Sequence, residues 1–174
     1  MMEFLELAKQ RHSVRKFSPR PVERHKIEQI IEAARVAPTA ANRQPVRIVV
    51  AETEEQRAKL SGAADTYGAP LVFVACANET QAWHRPLDGK GTSDIDASII
   101  TDHMMMEATD LGLGSVWICW FDPAKVREAF SLPADLEPVN ILAVGYSDQS
   151  PANPNRHAEQ RISAEELVIA LPLS

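Results

Sequence analysis

The stretch from Ser93 to Leu111 constrains this chain more than any other. It places Ile95, Ala97, Ile99, Ile100, Met104, Met105, Met106 and Ala108 on a helical period, so that apolar side chains occupy more than one face. A helix of that kind has to be enclosed, and Gly112 and Gly114 follow it as a stop signal. The other elements are therefore expected to wrap around one buried core helix. With 174 residues there is enough chain for one real core and too little for two, so residues 1–174 read as a single domain.

Around that helix the pattern predicts helix, helix, strand, helix, strand before it and strand, helix, strand, helix after it. Met2 to Arg11 carries apolar residues at helical spacing and puts Arg11 at a helix end. Glu23 to Val36 places Ile27, Ile30, Ile31 and Ala34 on one face, and Pro38 forbids smooth continuation. Val46 to Ala51 and Pro70 to Ala77 read as strands, with a capping box at Thr53–Gln56 opening a helix to about Ala64 between them. Ser115 to Trp120 and Val139 to Tyr146 read as further strands, separated by a helix that Asp122-Pro123 opens. From Ser147 to Gln160 the chain is rich in Ser, Pro, Asn and Gln without an apolar period, which predicts an extended arm. A second capping box at Ser163–Glu166 then opens a last short helix ending near Pro172. The fold class is α+β.

A net charge of -6 opposes a general attraction to nucleic acid or to an anionic membrane, and no apolar run approaches a membrane span. The two cysteines, Cys76 and Cys119, stand far apart in apolar runs, and no signal-peptide plan opens the chain, so a cytoplasmic setting is expected. Cys119 reads as a buried strand cysteine, a small hydrophobe. The histidines show no metal-ligand spacing with one another or with the cysteines.

Two short segments carry the chemistry. Arg11-His12-Ser13-Val14-Arg15 offers two guanidiniums and a hydroxyl, suited to a phosphate and a second electron-rich group. Alone it reads equally as a solvated basic turn at a helix C-terminus. Ala37-Pro38-Thr39-Ala40-Ala41-Asn42-Arg43-Gln44-Pro45 offers small residues, amides and two prolines, suited to a rigid polar loop. Proline stops explain Pro38 and Pro45 in a plain helix-to-strand connection, but not the polar residues between them.

Together, with their spacing, the two segments resemble the FMN-dependent nitroreductase family, and the likeness reaches nearly the whole chain. The resemblance implies a nitroreductase-like fold, a small central sheet wrapped by helices around the core helix, with a C-terminal arm (residues 147–174) crossing to the partner in a homodimer. It implies that Arg11, His12, Ser13 and Arg15 contact flavin, Arg11 and Ser13 at the phosphate and Arg15 at the pyrimidine edge. Pro38, Thr39, Ala40, Asn42 and Gln44 match the loop at the flavin edge, with Val46 where the family usually has an aromatic residue. Main-chain N–H groups near Ile118 and Cys119 are implied at the flavin N5, and Arg161 at the phosphate. The bulky Cys119-Trp120 pair stands where many relatives have glycine, and the polar loop from Trp83 to Gly91 is read evenly as a cover over the flavin or as an ordinary surface loop.

The implied activity is an FMN-dependent oxidoreductase that takes hydride from NADH or NADPH by ping-pong chemistry and reduces a small-molecule acceptor such as a nitroaromatic or quinone. No side chain is implied as an obligatory acid or base, since the flavin does the redox chemistry. The alternative is a flavin-binding carrier or redox sensor with little turnover.

Overall fold

The computed structural model describes residues 3–169. Its elements run α1 (Phe4–Gln10), α2 (Arg24–Val36), β1 (Val46–Ala51), α3 (Glu54–Ala58), β2 (Leu71–Ala77), α4 (Ser93–Asp110), β3 (Gly114–Ile118), α5 (Pro123–Phe130), β4 (Glu137–Gly145), α6 (Arg156–Gln160) and α7 (Ala164–Leu167). The strands form one antiparallel sheet in the order β1-β2-β4-β3, in register through Val46↔Ala77, Leu71↔Val144 and Gly114↔Gly145.

Every residue of β2 is buried, because both faces of the sheet are covered. On one face Leu71, Phe73, Leu142 and Val144 pack against Ile27 and Ile30 of α2 and Ile100, Met104 and Met105 of α4. On the other, Val72, Val74, Val116 and Ile141 pack with Leu60, Ala63 and Val126 of α5. A strand enclosed on both sides reads as a continuous apolar run rather than an alternating one, which is what Leu71–Ala77 shows.

The helix that organises the sequence, α4, buries one side only. Ala97, Ile100, Thr101, Met104, Met105 and Ala108 face the sheet and α2. The remaining apolar side is open: Ile95 is exposed, and Ile99, His103 and Met106 line open grooves. His103 keeps its ring tied to the helix, its Nδ1 2.9 Å from Ile99 O. The helix stops by a Schellman motif. Gly112, at φ +73°, lets its own N–H reach Thr109 O at 3.0 Å and that of Leu113 reach Ala108 O at 2.9 Å.

Four local differences from the sequence reading have physical causes. The third helix ends at Ala58 rather than near Ala64; Leu60, Ser61 and Ala63 continue in tighter i→i+3 turns that drop Leu60 and Ala63 into the core. Strand β3 ends at Ile118 rather than Trp120, because the chain leaves the sheet so that the Asp122 amide can donate to Ala63 O (2.8 Å) and its side chain can cap α5. Cys119 is accordingly exposed, not a buried strand cysteine. The arm is not extended throughout: the Asn153 side chain accepts from Asn155 N–H and starts α6. The capping box of Ser163 with Glu166 opens α7 as expected, while Pro172 lies outside the described residues. No helix among the described residues is long and apolar enough to cross a membrane.

Candidate functional site

Segment 11–15 leaves α1 at Arg11, its C-cap, and runs beside the start of β3. The N–H of Val14 donates to Ser115 O at 2.9 Å, and Val14 is wholly buried against Gly114. In extended backbone, neighbours of an inward residue point outward, so Ser13 and Arg15 are presented together on the open side. Farther along, Ser18 N–H donates to Tyr146 O (2.8 Å) and Asp148 N–H to Lys16 O (3.0 Å), stitching the segment to the end of β4. The Gln149 side chain accepts from Arg15 N–H at 2.9 Å. His12 turns its Nδ1 toward Gln10 O at 3.2 Å.

Beside this segment lies a cavity of about 160 Å³ bounded by Arg11, His12, Val14, Thr109 and Gly112. The Arg11 guanidinium is held below the usual arginine range, first by partial burial and then by repulsion from Arg161 and Arg156, with Asp102 opposing. The partly buried Arg11, with the positive charge of Arg161 and Arg156 nearby, makes this end of the molecule cationic and favours an anion. Arg161, the C-cap residue of α6, lies near enough for its charge to act on Arg11. Arg156 also braces the backbone here, since it donates to Lys9 O, Gln10 O and Arg11 O, the last carbonyls of α1, and His157 Nε2 lies 3.1 Å from Lys9 O. The arm therefore caps the helix that delivers Arg11.

Loop 38–44 lies in a different region of the molecule. A tight turn at Ala40–Asn42 follows Thr39, and Ala41, Asn42 and Gln44 all adopt left-handed backbone with φ near +50°. Thr39 Oγ1 accepts from Gln44 N–H at 3.0 Å, and Ala40 N–H donates to Asp96 Oδ1 at 2.8 Å. Pro38, Asn42 and Gln44 are not buried, leaving the Asn42 amide open to an outside partner. Asp96 went unnoticed in the sequence. The available signal was an acidic residue one turn before Ile100 on the buried face of α4.

The chain carries Arg11, Ser13 and Arg15 on one segment, with the charge of Arg161 acting on Arg11, but does not bring loop 38–44 to them. The loop hangs from Asp96, while the Arg11 cavity touches Thr109. Those residues stand near opposite ends of α4, about 20 Å apart along its axis. Ile118 is buried at the end of β3, and Cys119 and Trp120 emerge beyond it, Trp120 with 94% of its surface exposed. The Cys119 thiol lies 3.8 Å from Asn140 Oδ1, which also accepts from Trp117 Nε1 at 2.9 Å.

With this architecture in view, the chain belongs to the nitroreductase family: the model for that family matches residues 8–66 and 63–146. A crystal structure of a nitroreductase family protein from Clostridium difficile 630 is 49% identical, superposes with a TM-score of 0.95, and covers 99% of this chain and 100% of its own. An NADPH-dependent oxidoreductase of Staphylococcus epidermidis is 29% identical over 86% of this chain and 67% of its own length. An FMN reductase acting with NAD(P)H, from Bacillus subtilis strain 168, is 26% identical over 96% of this chain and 78% of its own.

Proposed function

We propose that this chain is an FMN-dependent oxidoreductase that uses NADH or NADPH, works as a cytoplasmic homodimer of single-domain protomers, and reduces a small acceptor such as a nitroaromatic or quinone by ping-pong turnover. The observation that carries the reading is the partly buried Arg11 at the cavity beside segment 11–15, in surroundings made cationic by the charge of Arg161, which suits the dianionic phosphate of FMN. FMN, when bound, supplies hydride acceptance from the nicotinamide and electron return to the acceptor.

The chain's own residues bind and orient. Arg11, Arg161 and the Ser13 hydroxyl hold the phosphate, with His12 alongside. Arg15, exposed and displaced from that cluster, offers positive charge to the pyrimidine edge, where negative charge grows on reduction. Main-chain N–H groups at Ile118 and Cys119 face the reactive part of the ring, and the exposed Trp120 forms one wall of the substrate opening. Pro38, Thr39, Ala40, Asn42 and Gln44 hold the flavin edge from the second protomer. The open apolar side of α4 supports that arrangement: a two-fold axis crossing it perpendicular to the helix would set the N-terminal end of one helix beside the C-terminal end of the other, and each loop 38–44 beside the partner's phosphate cluster. The arm crosses with it, and Ile162, Leu167, Val168 and Ile169, all exposed in the protomer, have a surface to lie on.

The test is a visible spectrum of protein loaded with FMN and desalted, recorded anaerobically before and after NADH or NADPH. Retained colour that bleaches is expected. Colourless protein refutes the cofactor, and colour that neither nucleotide bleaches makes the protein a carrier or sensor. Sedimentation at micromolar concentration tests the dimer, and parallel initial-rate lines test ping-pong order.

A further inference from the structure

We propose that Asp96 is a positioning residue for the cofactor loop: its buried carboxyl group holds Thr39–Gln44 in a backbone shape that the loop does not keep by itself. The proposal rests on the reading that this loop holds the flavin edge.

Asp96 is 1% exposed, and its partners are neutral donors. Oδ1 accepts from Ala40 N–H at 2.8 Å, and Oδ2 lies 3.2 Å from the Thr92 hydroxyl, whose one proton it shares with Trp83 O at 3.1 Å. Taking a carboxyl group out of water is costly, and here the first turn of α4 offsets part of that cost through its unpaired N–H groups. A small apolar residue in this place would lack both of these contacts. One anchors the loop, and the other fixes Thr92, whose N–H donates to Trp83 O at 3.0 Å and so closes the base of the 83–91 segment.

The loop needs an anchor. Ala41, Asn42 and Gln44 have φ of +48°, +53° and +50°. Asparagine tolerates the left-handed region, whereas alanine and glutamine carry a steric cost there at Cβ. Of the hydrogen bonds made by the backbone N–H groups of Ala40–Gln44 among the described residues, Asn42 N–H to Thr39 O, Arg43 N–H to Ala40 O and Gln44 N–H to Thr39 Oγ1 all close the loop upon itself. Of these N–H groups only that of Ala40 reaches beyond the loop, to Asp96; on the acceptor side, Arg47 Nη1 of β1 donates to Gln44 O at 3.0 Å, at the far end from Ala40. Without that bond the left-handed residues relax, and Thr39 and Asn42 no longer stand where a ligand would meet them.

The experiment compares wild type with Asp96→Ala, which deletes the acceptor, and Asp96→Asn, which keeps an oxygen for Ala40 N–H and turns its amide to the Thr92 hydroxyl. Asp96→Val, which fills the space without an acceptor, replaces the alanine variant if that one does not fold. Val126→Ala, a buried truncation on the opposite face of the sheet, controls for plain loss of stability. Two quantities are read: hydrogen exchange of peptide 38–46 in the FMN-free protein, and the FMN dissociation constant from fluorescence quenching. Asp96→Ala is expected to exchange the Ala40–Gln44 amides at least about tenfold faster and to bind FMN at least about tenfold more weakly, with Asp96→Asn and Val126→Ala within about threefold of wild type on both. Unchanged loop exchange in Asp96→Ala overturns the proposal, as does an FMN loss no larger than that of Val126→Ala. A wild-type protein that binds no FMN fails earlier and differently, removing the loop's ligand while the exchange result still reports whether Asp96 anchors it.

Discussion

Replacing Gly114 by alanine should displace the cationic segment without touching any of its charges. The added Cβ would stand 2.7 Å from Val14 Cγ2, 3.1 Å from its Cβ and 3.3 Å from Cγ1. Valine is stiff at χ1 and Val14 is wholly buried, so its side chain has no second place to go. Relief has to come from the backbone of residues 13–15, which the Val14 N–H bond to Ser115 O holds against β3. Overpacking of this kind costs about 2 kcal/mol. For a domain of this size that lowers Tm by about 4–8 °C. Adding Val14→Ala removes both γ carbons and leaves only the contact at 3.1 Å, so the double variant should be more stable than the sum of its parts by about 1 kcal/mol. Thermal unfolding of the four proteins by circular dichroism, run as a cycle, reads the coupling. FMN titration of Gly114→Ala should show weakened binding beside the melting shift. A Gly114→Ala protein that melts like wild type, or a strictly additive cycle, would refute the claim that Val14 is wedged.

Other expectations follow from the same geometry. Arg11→Ala should mainly lose FMN, whereas Arg15→Ala should retain some FMN and lower its reduction potential; equal binding loss with unchanged potential sinks that division. The Tyr146 hydroxyl donates to Glu23 at 2.7 Å and, ahead of the other causes, holds the Glu23 carboxyl down to about 2 from an ordinary 4.5. A depressed carboxyl favours the folded state above its unfolded value and stops doing so as pH falls through the folded one, so this contribution fades between pH 4.5 and about 2. Tyr146→Phe should flatten that part of the Tm-against-pH curve, and an unchanged curve rules the bond out as its cause. Burial pushes the Cys76 thiol up to about 11, while Cys119 is exposed, so a disulfide reagent at pH 8 should titrate one thiol in native protein and both in denaturant. Cys119→Ser abolishing the native signal assigns it; a remaining fast thiol contradicts the burial of Cys76.

The features legible in the sequence were those decided within a few residues. The Thr53 and Ser163 capping boxes, the Asp122-Pro123 opening of α5 and the glycine stop after α4 all form as the local chemistry dictates. What escaped depends on distant partners. Whether Arg156 turns to an anion or to the carbonyls of α1 is settled by how α6 lies against residues 9–11, a contact the local sequence does not encode. Cys119 looked like strand because Ser115–Trp120 is uniformly suited to one; Ala63 O, some sixty residues away, takes the chain off the sheet at Asp122. Asp96 escaped because an aspartate in the first turn of a helix is ordinary, and only the path of the loop before β1 places Ala40 N–H over it.

The length of α4 works as a ruler. Under the two-fold arrangement proposed above, one end of the helix sets the phosphate cluster and the other sets the loop for the partner's cofactor, so the gap between the two halves of each site is measured out in helical turns. A one-residue insertion within Ser93–Asp110 would rotate everything beyond it by about 100° and lengthen the rule by about 1.5 Å, putting both cofactors out of reach at once. The segment from Trp83 to Gly91 can grow or shrink with only local effect, whereas the arm is tied to the last carbonyls of α1 through Arg156. Variation in length among proteins built on this plan should therefore collect in that segment and leave the helix untouched.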